Sequence, residues 1–252
     1  MDTARLLVDN RPIGVLDSGI GGVSTLLSMQ ELMPNERYIY VMPEHFVSFG
    51  NLDASHILDR ASNLVYKLLQ QDCKIVVVAC NTATNVGLAN VYSDVKVPFV
   101  GCEPAIKPAA IDGCNNILVL TTVATSQQDK FVMLKDRYNS MSNIVVAPQV
   151  DLARLIEFGR AGQNLRQNIL SGNYALPQDF YRDLCSQLYN KVCMLLDEYD
   201  YVDGVVLGCT HYVFLRPLIQ QYCNSRNRDI AIFDGNDGIA KHTMSQLQYV
   251  SK

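Results

Sequence analysis

The sequence predicts an α/β protein of two pseudo-symmetric halves, with mainly parallel sheets facing a shared cleft. Three observations carry this. Ile75-Val-Val-Val-Ala-Cys80 is an unbroken apolar run that stops in a thiol and is followed by Asn81, Thr82 and Thr84. A short run without polar alternation reads as a strand buried on both faces, hence parallel. Gly204-Val-Val-Leu-Gly-Cys209 repeats the design and is followed by Thr210 and His211. Ile13-Gly-Val-Leu-Asp-Ser18 and Ile117-Leu-Val-Leu-Thr-Thr122 pair in the same way, each as the first strong strand of a half. The pattern is that of a diverged duplication. Packed face to face, the halves would set Cys80 and Cys209 across one cleft, at the carboxyl ends of their sheets, where open α/β sheets bind ligands. Residues 1–103 and 213–252 are expected to form the first half and 104–212 the second.

The elements follow in order. Asp17-Ser-Gly-Ile-Gly-Gly22 leaves the first strand and opens a helix running to Pro34. Its glycines admit a close approach of backbone to a small ligand, but the spacing is not the G-x-G-x-x-G of dinucleotide binding. Asp17 is either a plain helix cap or a carboxylate placed to move a proton. Tyr38–Val41 is the second strand, and residues 42–51 form a loop at the sheet end. From Ser55 to Gln70, Ile57, Leu58, Ala61, Leu64, Val65 and Leu68 make an apolar stripe at helical spacing, which is core packing. A helix over about 83–92 follows the Cys80 strand, then a short strand over 98–101 and a proline-containing hinge over 102–108. The second half begins at Asn116. Thr121, Thr122 and Thr125 offer hydroxyls there, for a carboxylate or for a helix cap. Ile144–Ala147 is a strand, and 151–159 a short helix with Glu157 at the edge of its apolar face, a position equally suited to a solvated carboxylate. A long helix over 179–199 precedes the Cys209 strand. A strand over 230–233 and a closing helix from about Gly238 end the chain.

Composition narrows the function classes. Lys and Arg number 21 against 25 Asp and Glu, a net charge of −4 with no basic block, so no nucleic-acid track is expected. No apolar run approaches the ~20 residues that span a bilayer, and the first ten residues carry no signal-peptide core, which together predict a cytoplasmic protein without a membrane partner. The eight cysteines include no C-x-x-C pair, so neither a zinc ribbon nor any other metal site is expected, and reduced thiols are the default. A lone cysteine at a strand end is often only a small hydrophobe; the repetition of the motif argues for more.

These residues identify a resemblance. Gly14 to Gly22, Val78-Ala-Cys-Asn-Thr-Ala83, the Glu103 to Ala109 run and Leu207-Gly-Cys-Thr-His-Tyr212 resemble the glutamate racemases of the cofactor-independent aspartate/glutamate racemase family, over most of the chain. The resemblance implies flavodoxin-like halves, glutamate as the small-molecule substrate, no cofactor, and D-glutamate supplied to peptidoglycan. A homodimer is left open. It also implies that Cys80 and Cys209 are the catalytic bases, that Asp17 assists the first, and that Glu157 and His211 assist the second. Substrate contacts carry over to Asp17, Ser18, Phe49, Gly50, Asn81, Thr82, Thr210 and His211, and Thr122 and Thr125 join them as candidates. The chain departs from the family mainly in one loop. Pro43 stands where Asp is usual, and Ser48-Phe49-Gly50 where Pro-Tyr-Gly is usual. Later, Gln128 and Phe131 stand where Ser and Tyr are common.

The chemistry needs two thiols. Inverting an α-carbon removes a proton from one face and returns one to the other, so two acid/base groups must flank it. A free thiol of pKa about 8.5 is only roughly 3% thiolate at neutral pH, and a neighbouring base must take its proton. The altered loop keeps two alternatives open: racemisation of another small dicarboxylate such as aspartate, and carboxylate binding with impaired catalysis.

Overall fold

A computed structural model describes residues 9–250, with side chains placed through residue 247. Two four-stranded parallel sheets form the framework. The first contains β1 (Ile13–Leu16), β2 (Tyr38–Val41), β3 (Ile75–Val78) and β4 (Phe99–Gly101) in the order β2-β1-β3-β4. The second contains β5 (Asn116–Thr122), β6 (Asn143–Gln149), β7 (Gly204–Leu207) and β8 (Ala231–Phe233) in the order β6-β5-β7-β8. Once the strands of each half are counted from its own start, the two orders are the same. The duplication read from the sequence is therefore a duplication of topology.

Helices cover both sheets. The first half carries α1 (Val23–Leu32), α2 (Ala54–Gln70), α3 (Asn81–Asn85) and α4 (Leu88–Val91); α5 (Ile106–Ile111) leads into the second sheet. The second half adds α6 (Val123–Ser126), α7 (Asp129–Tyr138), α8 (Leu152–Phe158), α9 (Arg160–Leu170), α10 (Phe180–Glu198) and α11 (Arg216–Arg226), and α12 (Asn236–Val250) closes the chain. Where one helix over about 83–92 was expected, there are two short ones. Gly87 between them sits at φ +82, a left-handed conformation that ends the first and caps the second.

The strand registers place the motif residues. Leu16 lies beside Val78 and Leu120 beside Leu207, so Asp17 follows directly on the end of β1 and Thr121 lies one residue past the β5–β7 pairing, still within β5, while Cys80 and Cys209 lie two residues beyond the ends of β3 and β7. Ile75 to Val78 are all at most 1% exposed. Burying four such side chains contributes roughly 6–12 kcal/mol of transfer free energy, which fixes where the strand ends and the thiol begins. No helix among the described residues is long and apolar enough to cross a membrane.

The end of the chain departs from the expected assignment of 213–252 to the first half. β8 pairs with β7 in the second sheet, and α11 packs against α10. Only α12 returns, with Ile239, Ala240 and Thr243 buried and Thr25 of α1 donating to Asn236 Oδ1 at 2.8 Å. The motif spacing located the second cysteine strand but held no signal for its outer neighbour.

Candidate active site

The carboxyl ends of the two sheets meet, and side chains from each half bond to the other. Asp17, fully buried, accepts the amides of Gly19 (3.2 Å) and Gly22 (3.1 Å) on Oδ2, and the Thr210 hydroxyl donates to its Oδ1 at 3.2 Å. It is thus both the cap of the glycine turn and a tie to the Cys209 side. Burial raises its pKa to about 6, against the pull of His211 and the two glycine amides. Gly21 lets the halves approach. A Cβ there would lie 2.5 Å from Thr210 Oγ1 and 2.6 Å from the His211 amide nitrogen.

Cys80 is buried with its thiol 3.6 Å from Ser18 Oγ. Burial, reinforced by the charge of Asp17, pushes its pKa well above the usual thiol range although the Ala83 amide opposes this. The shift is toward the neutral thiol. Asp17 reaches Cys80 through space, its hydrogen bonds going to the glycine turn and to Thr210. Cys80 also senses the charge of Cys209 across the site. All eight cysteines are free thiols.

On the opposite side, Cys209 Sγ lies 4.0 Å from His211 Nδ1, and His211 Nε2 lies 2.8 Å from Glu157 Oε2. Burial disfavours the imidazolium, but Cys209 and Glu157 together overcome it and raise the His211 pKa to about 10. Burial also opposes ionisation of Glu157; His211, the Ile20 amide at 2.9 Å and Arg166 at 2.7 Å reverse that and hold its pKa below the usual carboxylate value. The solvated alternative for Glu157 is excluded, because the residue is fully buried. The result is a charged pair with a ring nitrogen facing the Cys209 sulfur.

The remaining candidates gather around these two arms. Thr82 Oγ1 lies 3.1 Å from the hydroxyls of both Thr122 and Thr125, which are 2.9 Å apart, a buried triangle joining the halves. Thr122 also caps α6, accepting the Thr125 amide at 3.2 Å. Asn81 is 5% exposed, and its Oδ1 has no hydrogen-bond partner among the described residues. Such an orphaned acceptor suits a ligand donor. Phe49 is buried in the cluster containing Cys80, Ala83 and Ala124, and a Cβ on Gly50 would meet the Thr122 side chain at 2.6 Å. The loop backbone can reach that hydroxyl triangle only without a Cβ at 50.

Three neighbours were not legible in the motifs. Tyr40 donates to the Gly19 carbonyl at 2.5 Å, pinning the glycine turn. Phe46 sits edge-on to His211, ring centroids 5.8 Å apart. Arg166 lies on α9, a helix whose Ala161, Leu165 and Ile169 stripe was the available signal. Cys185, by contrast, lies on α10 with its thiol 3.4 Å from Gln221, outside this constellation. Cys185→Ser should leave kcat and KM within about twofold of wild type, as steady-state kinetics will show.

Buried thiols near ionisable side chains, at the meeting carboxyl ends of two parallel sheets, are an arrangement suited to moving a proton on and off a carbon acid. The Asp/Glu/Hydantoin racemase model matches residues 48–243, and the chain belongs to that family. Among its relatives, a glutamate racemase of Pseudomonas entomophila is 36% identical over 240 residues, covering 94% of this chain and 81% of that one. A glutamate racemase of Clostridium perfringens is 32% identical over 243 residues, covering 95% and 84%. The crystal structure of Escherichia coli glutamate racemase in complex with L-glutamate and the activator UDP-MurNAc-ala superposes with a TM-score of 0.74 at 26% identity, over 95% of this chain and 83% of that one.

Proposed function

We propose that this protein interconverts L- and D-glutamate without a cofactor, by proton transfer between Cys80 and Cys209, and that it supplies D-glutamate for peptidoglycan. The observation that carries the reading is the placement of two buried free thiols at facing sheet ends, one beside Asp17 and Ser18 and one beside the His211–Glu157 pair. The named relatives supply the substrate.

In one direction the His211–Glu157 pair holds the proton of Cys209, whose thiolate takes the α-proton; the Cys80 thiol delivers its own proton to the opposite face. In the other direction Cys80 yields its proton toward Asp17 and abstracts, and the Cys209 thiol donates. Each turnover moves one proton off the carbon and one on, and the flanking groups reset the thiols. The free Oδ1 of Asn81 is an acceptor for the substrate ammonium, and the Thr82, Thr122 and Thr125 hydroxyls are donors for a carboxylate. Developing negative charge next to the α-carbon is stabilised by such fixed donors.

Wild-type enzyme in deuterated water should incorporate deuterium at Cα of glutamate, from either enantiomer, faster than into aspartate. Exchange into aspartate alone, or into neither, overturns the assignment. The loop gives a second check. Phe49 keeps the ring usual in the family and lacks its hydroxyl, and one neutral hydrogen bond is worth about 0.5–1.5 kcal/mol. Phe49→Tyr should therefore lower KM for glutamate by roughly two- to twelvefold and leave kcat within a few-fold. Abolished turnover in that variant would assign the loop a different substrate.

A further inference from the structure

Arg166 belongs to neither cysteine motif. Its side chain is only 13% exposed, and Nη1 donates to Glu157 Oε1 at 2.7 Å while approaching the Met42 sulfur at 3.7 Å. Nη2 donates to the carbonyl oxygens of Pro43, at 2.6 Å, and of Glu44. One planar guanidinium thus grips a buried carboxylate of the second half and two consecutive carbonyls of the loop after β2 in the first half. Only an arginine offers several donors in a fixed fork of this kind. Carbonyls do not neutralise a cation, so the charge of Arg166 is directed at Glu157, its ion-pair partner. Pro43, at the position where the family usually has Asp, brings no carboxylate to compete for it.

Glu157 is held at both oxygens. Oε2 receives the Ile20 amide and faces His211 Nε2, and Oε1 receives Arg166. With both oxygens occupied the carboxylate cannot rotate away from the imidazole. Beyond the loop residues that Arg166 grips, the same segment runs on to Phe46 against His211 and to Gly50 against Thr122.

We propose that Arg166 is a positioning residue that locks the Met42–Gly50 loop to Glu157, so that the loop closing over the substrate and the pair serving Cys209 are set together. This rests on the glutamate racemase reading above. Glu157 makes no hydrogen bond to that loop itself among the described residues; its hydrogen-bonded route to the loop runs through Arg166, beside the ring contact of Phe46 with His211.

The test is a double-mutant cycle in the full chain, with hydrogen exchange as a readout independent of turnover. Arg166→Gln should lower kcat/KM for glutamate by at least about tenfold, because it takes from a buried carboxylate one of its two cationic partners and leaves His211 as the other. In a Glu157→Gln background the same substitution should cost less than about threefold, since the residue acts through Glu157. Arg166→Lys should recover most of kcat, because the charge remains, while KM stays raised, because one ammonium cannot hold the carboxylate and both carbonyls. Glu157→Gln and Arg166→Gln should each increase deuterium uptake of the 42–50 amides. Multiplicative losses in the cycle, or unchanged uptake of that loop in both variants, would overturn the coupling. Wild-type glutamate turnover reports separately on the substrate assignment, and the exchange arm decides the Arg166 proposal even where that assignment fails.

Discussion

Cys80→Ser and Cys209→Ser should each lower racemisation by roughly 10²–10⁴-fold, the usual contribution of a positioned acid/base group. A serine hydroxyl keeps the size and the hydrogen bonds of the thiol but is a far weaker acid, so it neither abstracts the α-proton nor returns one efficiently. The two variants cannot be told apart by kcat/KM in opposite directions. Enantiomers have equal free energy, the equilibrium constant is unity, and kcat/KM must therefore match in both directions for any variant. The difference has to be read in single-face chemistry. With Cys209 replaced, Cys80 can still remove and return a proton on its own face, so one enantiomer should exchange its α-hydrogen for deuterium without inversion; with Cys80 replaced, the other should. Proton NMR of each enantiomer in deuterated water makes the measurement. Near-native racemisation by either serine variant, or exchange of the same enantiomer by both, would refute the two-thiol mechanism.

Asp17→Asn should separate activity from stability. Burial raises the Asp17 pKa from 3.8 to about 6, so the folded protein holds this proton over a range in which the unfolded chain has lost it. Stability from this group is fully present below the unfolded value and is lost as pH rises through about 6. A shift of that size corresponds to about 3 kcal/mol at neutral pH. An asparagine oxygen can still accept the Gly19 and Gly22 amides that Oδ2 accepts, and its amino group can face Thr210. The variant should unfold at higher urea concentration than wild type at about pH 7 and lose that advantage at about pH 4. Its kcat/KM should fall by roughly 10²-fold, because an amide takes no proton from Cys80. Equal stability of the two proteins across that range would show that the carboxylate is not held against its own ionisation.

What was legible in the chain was what is encoded locally. Ile75–Val78 and Gly204–Leu207 are apolar on both faces, which only a covered parallel strand satisfies, and each ends two residues before a cysteine. The turn glycines 19, 21 and 22 likewise announce a place where backbone comes close to something. Helix breaks were less legible. Gly87 looked compatible with one helix, and only its left-handed φ splits the segment into two.

The sequence by itself determined the two half-folds, the pairing of thiols with polar strand ends, and the family, because strand periodicity and strand-end chemistry depend on residues near one another in the chain. The tertiary structure alone decided that β8 stays with the second sheet, that Asp17 is tied to Thr210, that Glu157 is wholly buried against His211, and that Arg166 reaches back to Pro43. The first is a choice of strand partner; the other three are hydrogen bonds spanning 54 to 193 positions in the chain. No local pattern specifies such contacts, because their donors and acceptors meet only when the two sheets close on one another around a core that draws on both halves.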